Sequence, residues 1–409
     1  MKAPKSFRLH IGIFGRRNAG KSSLLNALTN QEVSIVSNVA GTTTDPVEKP
    51  MEFLPLGPVL FIDTAGIDDV GSLGEKRVKK TMAVFDRTDL GIIVSNFAEW
   101  GEHEHQLITE FKKREIPFVV VFNKIDCFKE KPDVISQLDS AKIAYAFTSV
   151  SIDKGIPELR QLLIQQAHPD FINRPVILSD LVGPGETAVL VIPIDKEAPK
   201  GRLILPQVQS IRDLLDNNSL CVVVKEQELR EALSMLNKPP ELVVTDSQAF
   251  LKVAADTPKE IPLTSFSILF ARFQADLTEM VRGAMAIEQL KAGDKVLIAE
   301  ACSHHPVGED IGTVKIPRWL TQYVGEKLQI DNIRGHDFPK NISEYKIIIH
   351  CGACMWNRRE MLTRIMLARQ AGVAITNYGL TIAYSLGIFE RALQPFPAAL
   401  DIYMNHKKI

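Results

Sequence analysis

Short apolar runs alternate along the chain with segments whose apolar positions fall three and four apart. LHIGIF (9–14), PVLFI (58–62) and PFVVVF (117–122) read as buried strands, and residues 1–170 alternate strand and helix as far as the proline-bearing connector QQAHPDFINRP. A middle block, 171–265, repeats the pattern on a smaller scale. VLVIPI, LCVVVK and LVVTD are strand-like, VQSIRDLL sets Val208, Ile211, Leu214 and Leu215 on one helical face, and ELREALSML does the same with Leu229, Ala232, Leu233 and Leu236. The last block, 266–409, opens with one long amphipathic helix over about 266–291, closed by Gly293. The strands KVLIAEAC, LQIDNI, KIIIH and VAITN follow, with the helical stretches IPRWLTQYVGEKL and NRREMLTRIMLARQAG between them. Such alternation predicts an α/β fold, with a doubly wound, mostly parallel sheet in the last block.

Composition narrows the class. At 409 residues the chain exceeds one ordinary core, and 45% apolar with 24% charged residues is a globular balance. A net charge of −1 argues against coating nucleic acid by bulk charge. No apolar run approaches the roughly 18 residues needed to span a bilayer. The segment MKAPKSFRLHIGIFGRR reads as a strand rather than a signal peptide, which points to the cytoplasm. The five cysteines (127, 221, 302, 351 and 354) favour metal binding or catalysis over a disulfide scaffold. Cys221, inside an apolar strand, reads as a buried inert thiol.

The first block carries nucleotide chemistry. Gly15, Gly20, Lys21 and Ser22 satisfy G-x-x-x-x-G-K-[ST], a strand–loop–helix turn whose backbone N–H groups, from Asn18 through Ala19, Gly20 and Ser23, can face phosphate. Lys21 reaches the β/γ-phosphates, and Ser22 binds Mg²⁺. Asp63-Thr64-Ala-Gly66 ends the second strand, where a carboxylate can hold the Mg²⁺ shell and the Gly66 N–H can meet a γ-phosphate. Asn123-Lys124-Ile-Asp126 ends the third. Asp126 can accept both the N1–H and the 2-amino group of guanine, a donor pair adenine lacks, so GTP is expected rather than ATP. Ser149 and Val150 complete the base contacts. With this block the fold class becomes a P-loop GTPase domain followed by two further α/β domains.

These motifs resemble the translation-factor-like GTPases of the MnmE/Era/EngA group over about residues 6–165. The resemblance implies that AGTTTD (40–45) is switch I, with Thr42 at the nucleotide and Thr43 on Mg²⁺, and that Asn18 coordinates K⁺. Ile67 stands where a Ras-like protein has a water-orienting glutamine, so hydrolysis should be slow or use another residue. Glu75 falls where the MnmE-like catalytic glutamate is expected.

In the last block Cys302 and the pair Cys351/Cys354 lie just past strand ends, where a parallel sheet gathers its functional residues. Glu300, His304, His305 and His350 are close in sequence. A dithiol redox site would leave Cys302 unexplained. Structural zinc with three cysteines and a histidine is one alternative, and a 4Fe-4S cluster with one iron left to a weaker ligand is another. Arg358, Arg359 and Arg364 follow on a helix and read as solubilising charge, with attraction of an anionic cargo as the alternative.

The ordered set Cys302-x-His304 … His350-Cys351-x-x-Cys354, downstream of an MnmE-like domain, resembles the FeFe-hydrogenase maturation GTPases, the HydF family. The resemblance spans the chain and implies a GTPase domain (1–170), a small dimerisation domain (171–265) and an iron–sulfur cluster domain (266–409). It implies a 4Fe-4S cluster on Cys302, Cys351 and Cys354, with Glu300, His304 or His350 as candidate fourth ligand. It also implies a transient diiron precursor built with two radical-SAM maturases and passed to apo-hydrogenase, and a homodimer or higher homo-oligomer without nucleic-acid or membrane partners. The competing expectation is an RNA- or ribosome-associated GTPase with a zinc-bound tail.

Overall fold

The structure, a computed structural model, describes residues 5–29, 46–64, 80–129, 132–167, 176–194, 201, 203–301, 310–339 and 341–407. The chain divides into two compact units, Met1–Arg174 and Pro175–Ile409.

The first unit is built on a six-stranded sheet of order β2-β3-β1-β4-β5-β6: β1 Leu9–Gly15, β2 Val47–Phe53, β3 Gly57–Asp63, β4 Leu90–Ser95, β5 Phe118–Phe122 and β6 Tyr145–Phe147. Only the edge strand β2 runs antiparallel. β1 and β4 are buried at every position, as continuous apolar runs require when helices cover both faces. The two-residue period sorts the side chains into two cores. Ile11, Ile13, Val59, Phe61, Val119 and Val121 pack with Leu24, Leu28, Leu159 and Leu163 on one face. Phe14, Ile62, Ile93, Val120 and Phe122 pack with Phe85, Phe97 and Phe111 on the other.

The second unit holds two four-stranded, wholly parallel sheets. One has the order β10-β9-β7-β8, from β7 Thr187–Val191, β8 Leu220–Val224, β9 Leu242–Thr245 and β10 Leu263–Ser265. The other has the order β12-β11-β13-β14, from β11 Lys295–Glu300, β12 Gln329–Arg334, β13 Ile347–His350 and β14 Ala374–Asn377.

The expected single helix over 266–291 is two, Phe266–Gln274 and Leu277–Met285, followed by a short 3₁₀ turn. Asp276 makes the break: its carboxylate accepts the N–H groups of Thr278 (2.9 Å) and Glu279 (3.1 Å), an N-cap that starts a new helix. Gly283 lets that second helix lie on β14, since a Cβ there would fall 1.8 Å from the carbonyl oxygen of Ile375. Cys221 differs from its expected burial in degree. It is half-buried because β8 is an edge strand, and burial still pushes the thiol up to about 11, so it is inert.

Candidate functional site

At the carboxyl end of β1 the chain needs glycine twice. Gly15 has φ 144°, and a Cβ would sit 2.1 Å from the carbonyl oxygen of Val94; Gly20 has φ 95°, and a Cβ would sit 2.3 Å from Nδ2 of Asn123. Asn18 between them is left-handed at φ 60°. The loop turns into the helix Lys21–Thr29, whose first N–H groups have no intrahelical acceptor and form an anion-binding end. Nζ of Lys21 donates to the carbonyls of Gly15 (3.0 Å) and Arg16 (2.7 Å).

Ser22 and Asp63 meet across this loop. Oγ of Ser22 donates to Oδ2 of Asp63 at 2.6 Å. Asp63 is 1% exposed; burial raises its carboxyl, against the lowering pull of Ser22 and Lys21. Its Oδ1 is buried without a hydrogen-bond partner. A buried carboxylate oxygen with unused capacity beside a serine hydroxyl is the hard-oxygen donor set that fits Mg²⁺. Thr64 faces the other way, its N–H and hydroxyl both given to the carbonyl of Ile13 (3.2 and 2.7 Å), so it clips β3 to β1.

The base-recognition loops lock onto the phosphate loop. Nδ2 of Asn123 donates to the carbonyl of Ala19 (3.1 Å), Nζ of Lys124 to that of Asn18 (2.7 Å), and Oγ1 of Thr148 to Oδ1 of Asn123 (3.2 Å). Asp126 is exposed, and its carboxylate accepts Ser149, Cys127 and Ser151; those bonds, Ser149 foremost, hold it down at about 2. Ser149 is bridged to Lys154 through backbone hydrogen bonds of 2.9 Å in each direction, and Val150 packs on the adjacent core. Thr42, Thr43, Gly66, Ile67 and Glu75 lie outside the described residues.

Sequence reasoning missed Arg16, Glu104 and Ser151. Arg16 makes a two-pronged ion pair with Glu104 (Nε–Oε1 2.9 Å, Nη2–Oε2 3.0 Å), and Glu104, fully buried, also accepts the N–H of Gly101 at 2.9 Å. The visible signal was Gly-Glu-x-Glu at the start of the helix Glu102–Lys113, a capping arrangement.

In the second unit β11 and β13 run side by side, Ala299 opposite His350, where the strand order of the sheet reverses. The N–H of Cys351 continues the ladder to Ala299 (2.9 Å), and the N–H of Ala301 donates to Sγ of Cys351 at 3.1 Å. Cys351 and Cys354 are half-buried. Cys302, which follows Ala301 in sequence, lies outside the described residues, as do His304 and His305. Among the described residues no group of three or more histidines, cysteines and acids is placed to hold a metal ion.

Two of the candidate fourth ligands are engaged elsewhere. Glu300, 4% exposed, accepts Nε of Arg334 at 2.8 Å and the hydroxyl of Tyr378 at 3.2 Å. Tyr378 is pushed well above the usual phenol range by burial and by the negative groups Cys351 and Glu300. His350 is fully buried, Nδ1 lying 3.0 Å from the carbonyl of Cys351 and Nε2 3.0 Å from Nη1 of Arg364. Burial and the Arg364 charge push it down to about 3. Two of the arginines that follow, Arg364 and Arg358, are not solubilising charge. Arg364 is 3% exposed, and Arg358 donates to the carbonyls of Arg272 (3.3 Å) and Phe273 (2.7 Å).

Fold and site together define a P-loop GTPase domain joined to two parallel α/β modules. A family model for a 50S ribosome-binding GTPase matches residues 10–124, one for the hydrogen maturase F dimerization domain matches 177–275, and one for the hydrogen maturase F tetramerization domain matches 278–395. The chain belongs to the hydrogen maturase F family. Its GTPase domain is similar to the tRNA modification GTPase MnmE of Chromobacterium violaceum, 36% identical over 130 residues that make up 32% of this chain and 29% of the relative. It is also similar to GTPase Der of Wolinella succinogenes, 41% identical over 132 residues, 31% of this chain and 27% of the relative. The chain thus spans less than a third of the length of these curated relatives. Among solved structures, Era with MgGDPNP and a 16S ribosomal RNA segment aligns at 19% identity and TM-score 0.35 over 53% of this chain and 92% of Era. The G domain of the T. maritima FeoB iron transporter aligns at 22% identity and TM-score 0.31 over 39% of this chain and 99% of that domain. No helix among the described residues is long and apolar enough to cross a membrane.

Proposed function

We propose that this chain is a cytoplasmic, GTP-hydrolysing scaffold of FeFe-hydrogenase maturation, with Cys302, Cys351 and Cys354 as ligands of a 4Fe-4S cluster. The observation that carries the cluster reading is the 3.1 Å hydrogen bond from the Ala301 N–H to Sγ of Cys351, because it puts the first thiol of Cys-x-x-Cys against the residue that precedes Cys302. When bound, the cluster supplies one iron whose fourth position can be shared with a diiron precursor received from two radical-SAM maturases and given up to apo-hydrogenase. Glu300 and His350 have other hydrogen-bond partners, which favours His304 among the three candidates for that position.

The nucleotide site divides its work by element. Lys21 meets the β- and γ-phosphates, helped by the N–H groups of Asn18, Ala19, Gly20, Ser22 and Ser23. Ser22, Thr43 and Asp63 hold Mg²⁺, for which the unpartnered Oδ1 of Asp63 is the supporting observation, and Asn18 holds K⁺. Asp126, kept ionised by Ser149 and its neighbours, accepts the guanine donors, while Asn123, Lys124 and Val150 shape the base pocket. Thr42, Gly66 and Glu75 act at the γ-phosphate. Ile67 cannot orient water, so turnover is slow. The three-domain division and the homo-oligomer belong to the same reading. The dimerization and tetramerization modules support the oligomer, as does the apolar edge strand β8, with Leu220 57% and Val223 46% exposed.

The test is anaerobic reconstitution with iron and sulfide. Wild-type chain is expected to take up about four irons, one per ligand position. Cys302→Ser and Cys351→Ser should lose most of them with GTP hydrolysis intact, and Lys21→Ala should lose nucleotide binding with iron intact. A colourless chain holding one zinc would overturn the cluster reading and favour an RNA- or ribosome-associated GTPase.

A further inference from the structure

Beneath the loop that carries Cys351 and Cys354 lies a continuous stack of side chains. Arg364, on the helix Arg358–Gln370, sits with its guanidinium carbon 4.2 Å from the ring centre of Trp356 and 4.7 Å from that of Phe338. Its Nη2 donates to the carbonyl of Gly335 at 2.9 Å. Its Nη1 lies 3.0 Å from Nε2 of His350. Arginine offers only donors, so Nε2 is the acceptor and the imidazole proton sits on Nδ1, which donates to the carbonyl of Cys351 at 3.0 Å. One arginine therefore reaches the cysteine loop through a histidine of fixed tautomer.

The same loop is held at its other end. The N–H of Trp356 closes on the carbonyl of Ala353 at 3.0 Å, and the indole is stacked against His336 with ring centres 5.3 Å apart. His336 is itself fixed by Glu360 through Nδ1–Oε1 at 2.7 Å. Between the two cysteines Ala353 is left-handed at φ 49° and 1% exposed. A residue with a Cβ resists that conformation, so surrounding contacts must enforce it.

We propose that Arg364 is the positioning residue of the cysteine loop: acting through His350 on the Cys351 carbonyl and through Trp356 on Ala353, it fixes the spacing of the two thiols. His350 is then a hydrogen-bond relay and not a metal ligand. The inference rests on the reading of Cys351 and Cys354 as cluster ligands, but its first readout does not.

That readout is the rate at which iodoacetamide alkylates Cys351 and Cys354 in the metal-free full-length chain, followed by mass spectrometry. Arg364→Met keeps the bulk over the rings and removes every donor. It should raise the rate about tenfold by letting the loop open, with GTP hydrolysis unchanged. His350→Asn keeps an N–H where Nδ1 stood but loses the Nε2 acceptor of Arg364, so it should show a smaller rise in alkylation with wild-type iron uptake, whereas His350→Leu, which loses both bonds, should follow Arg364→Met. If Arg364→Met does not fold, Arg364→Lys, which loses the fork but keeps the charge, should show a smaller rise. Wild-type rates in the arginine variant that folds would overturn the brace. So would iron loss in His350→Asn with unchanged alkylation, since that pattern belongs to a ligand. Faster alkylation in a chain that never binds iron would keep the brace and overturn the cluster reading instead.

Discussion

His10 shows how one buried side chain sets a pH limit on the GTPase domain. It sits in β1, 4% exposed, with its ring nitrogens 3.1 Å from the carbonyl of Arg87 and 3.2 Å from that of Lys5. Burial first, and the Arg87 charge second, push it down to about 4. The unfolded chain titrates near 6.5. As pH falls from 6.5 toward 4, the unfolded state gains a proton that the folded state refuses, so stability present above 6.5 is lost in that window, by up to about 3 kcal/mol. Hydrogen exchange of β1 amides in the full chain, corrected for intrinsic rates, should show protection falling between pH 7 and 5. The slope should flatten in His10→Gln, and an equal slope in both chains would discard this account. Neighbouring residues carry similar information that spacing alone does not. Ser151 holds Asp126 as Ser149 does, yet nothing in the run NKID points to a serine 25 positions on.

At the scale of elements, the phosphate loop owes its position to a helix outside the nucleotide motifs. The ion pair of Arg16 with Glu104 ties the loop after β1 to the first turn of Glu102–Lys113, and Glu104 has no exposure to solvent. Glu104→Gln keeps the shape and removes the charge, leaving Arg16 without its carboxylate. We expect about 3 kcal/mol lower stability, the low end for breaking a buried pair, and several-fold weaker GTP binding by calorimetry. Unchanged affinity and stability would show that the loop holds itself. The divided helix at Asp276 teaches the complementary lesson. The apolar spacing of Leu277, Met280, Val281 and Ala284 continues across the break, so periodicity predicts one helix. The Asp-Leu-Thr-Glu run carried the local capping signal, and the side-chain cap outcompeted continuation.

For the whole molecule, the edge strand β8 leaves apolar side chains exposed on a single chain, Leu220 and Val223 among them. Val223→Lys puts a charge on that edge and should shift the chain toward smaller species in sedimentation velocity, with nucleotide binding retained; an unchanged distribution would place the interface elsewhere. The order of strands and helices, the two-faced cores and the glycines of the phosphate loop were determined by the sequence alone. They follow from periods of two and 3.6 residues and from backbone angles that only certain residues adopt, all local properties. What His350, Glu300, Arg364 and Glu104 face was decided only by the tertiary structure. Each is satisfied by a partner brought near by the packing of separate elements, such as Arg364 to His350 across 14 positions or Arg16 to Glu104 across 88. A buried charge or imidazole must find its hydrogen-bond partner wherever the fold supplies one, and the spacing of residues along the chain does not encode that choice.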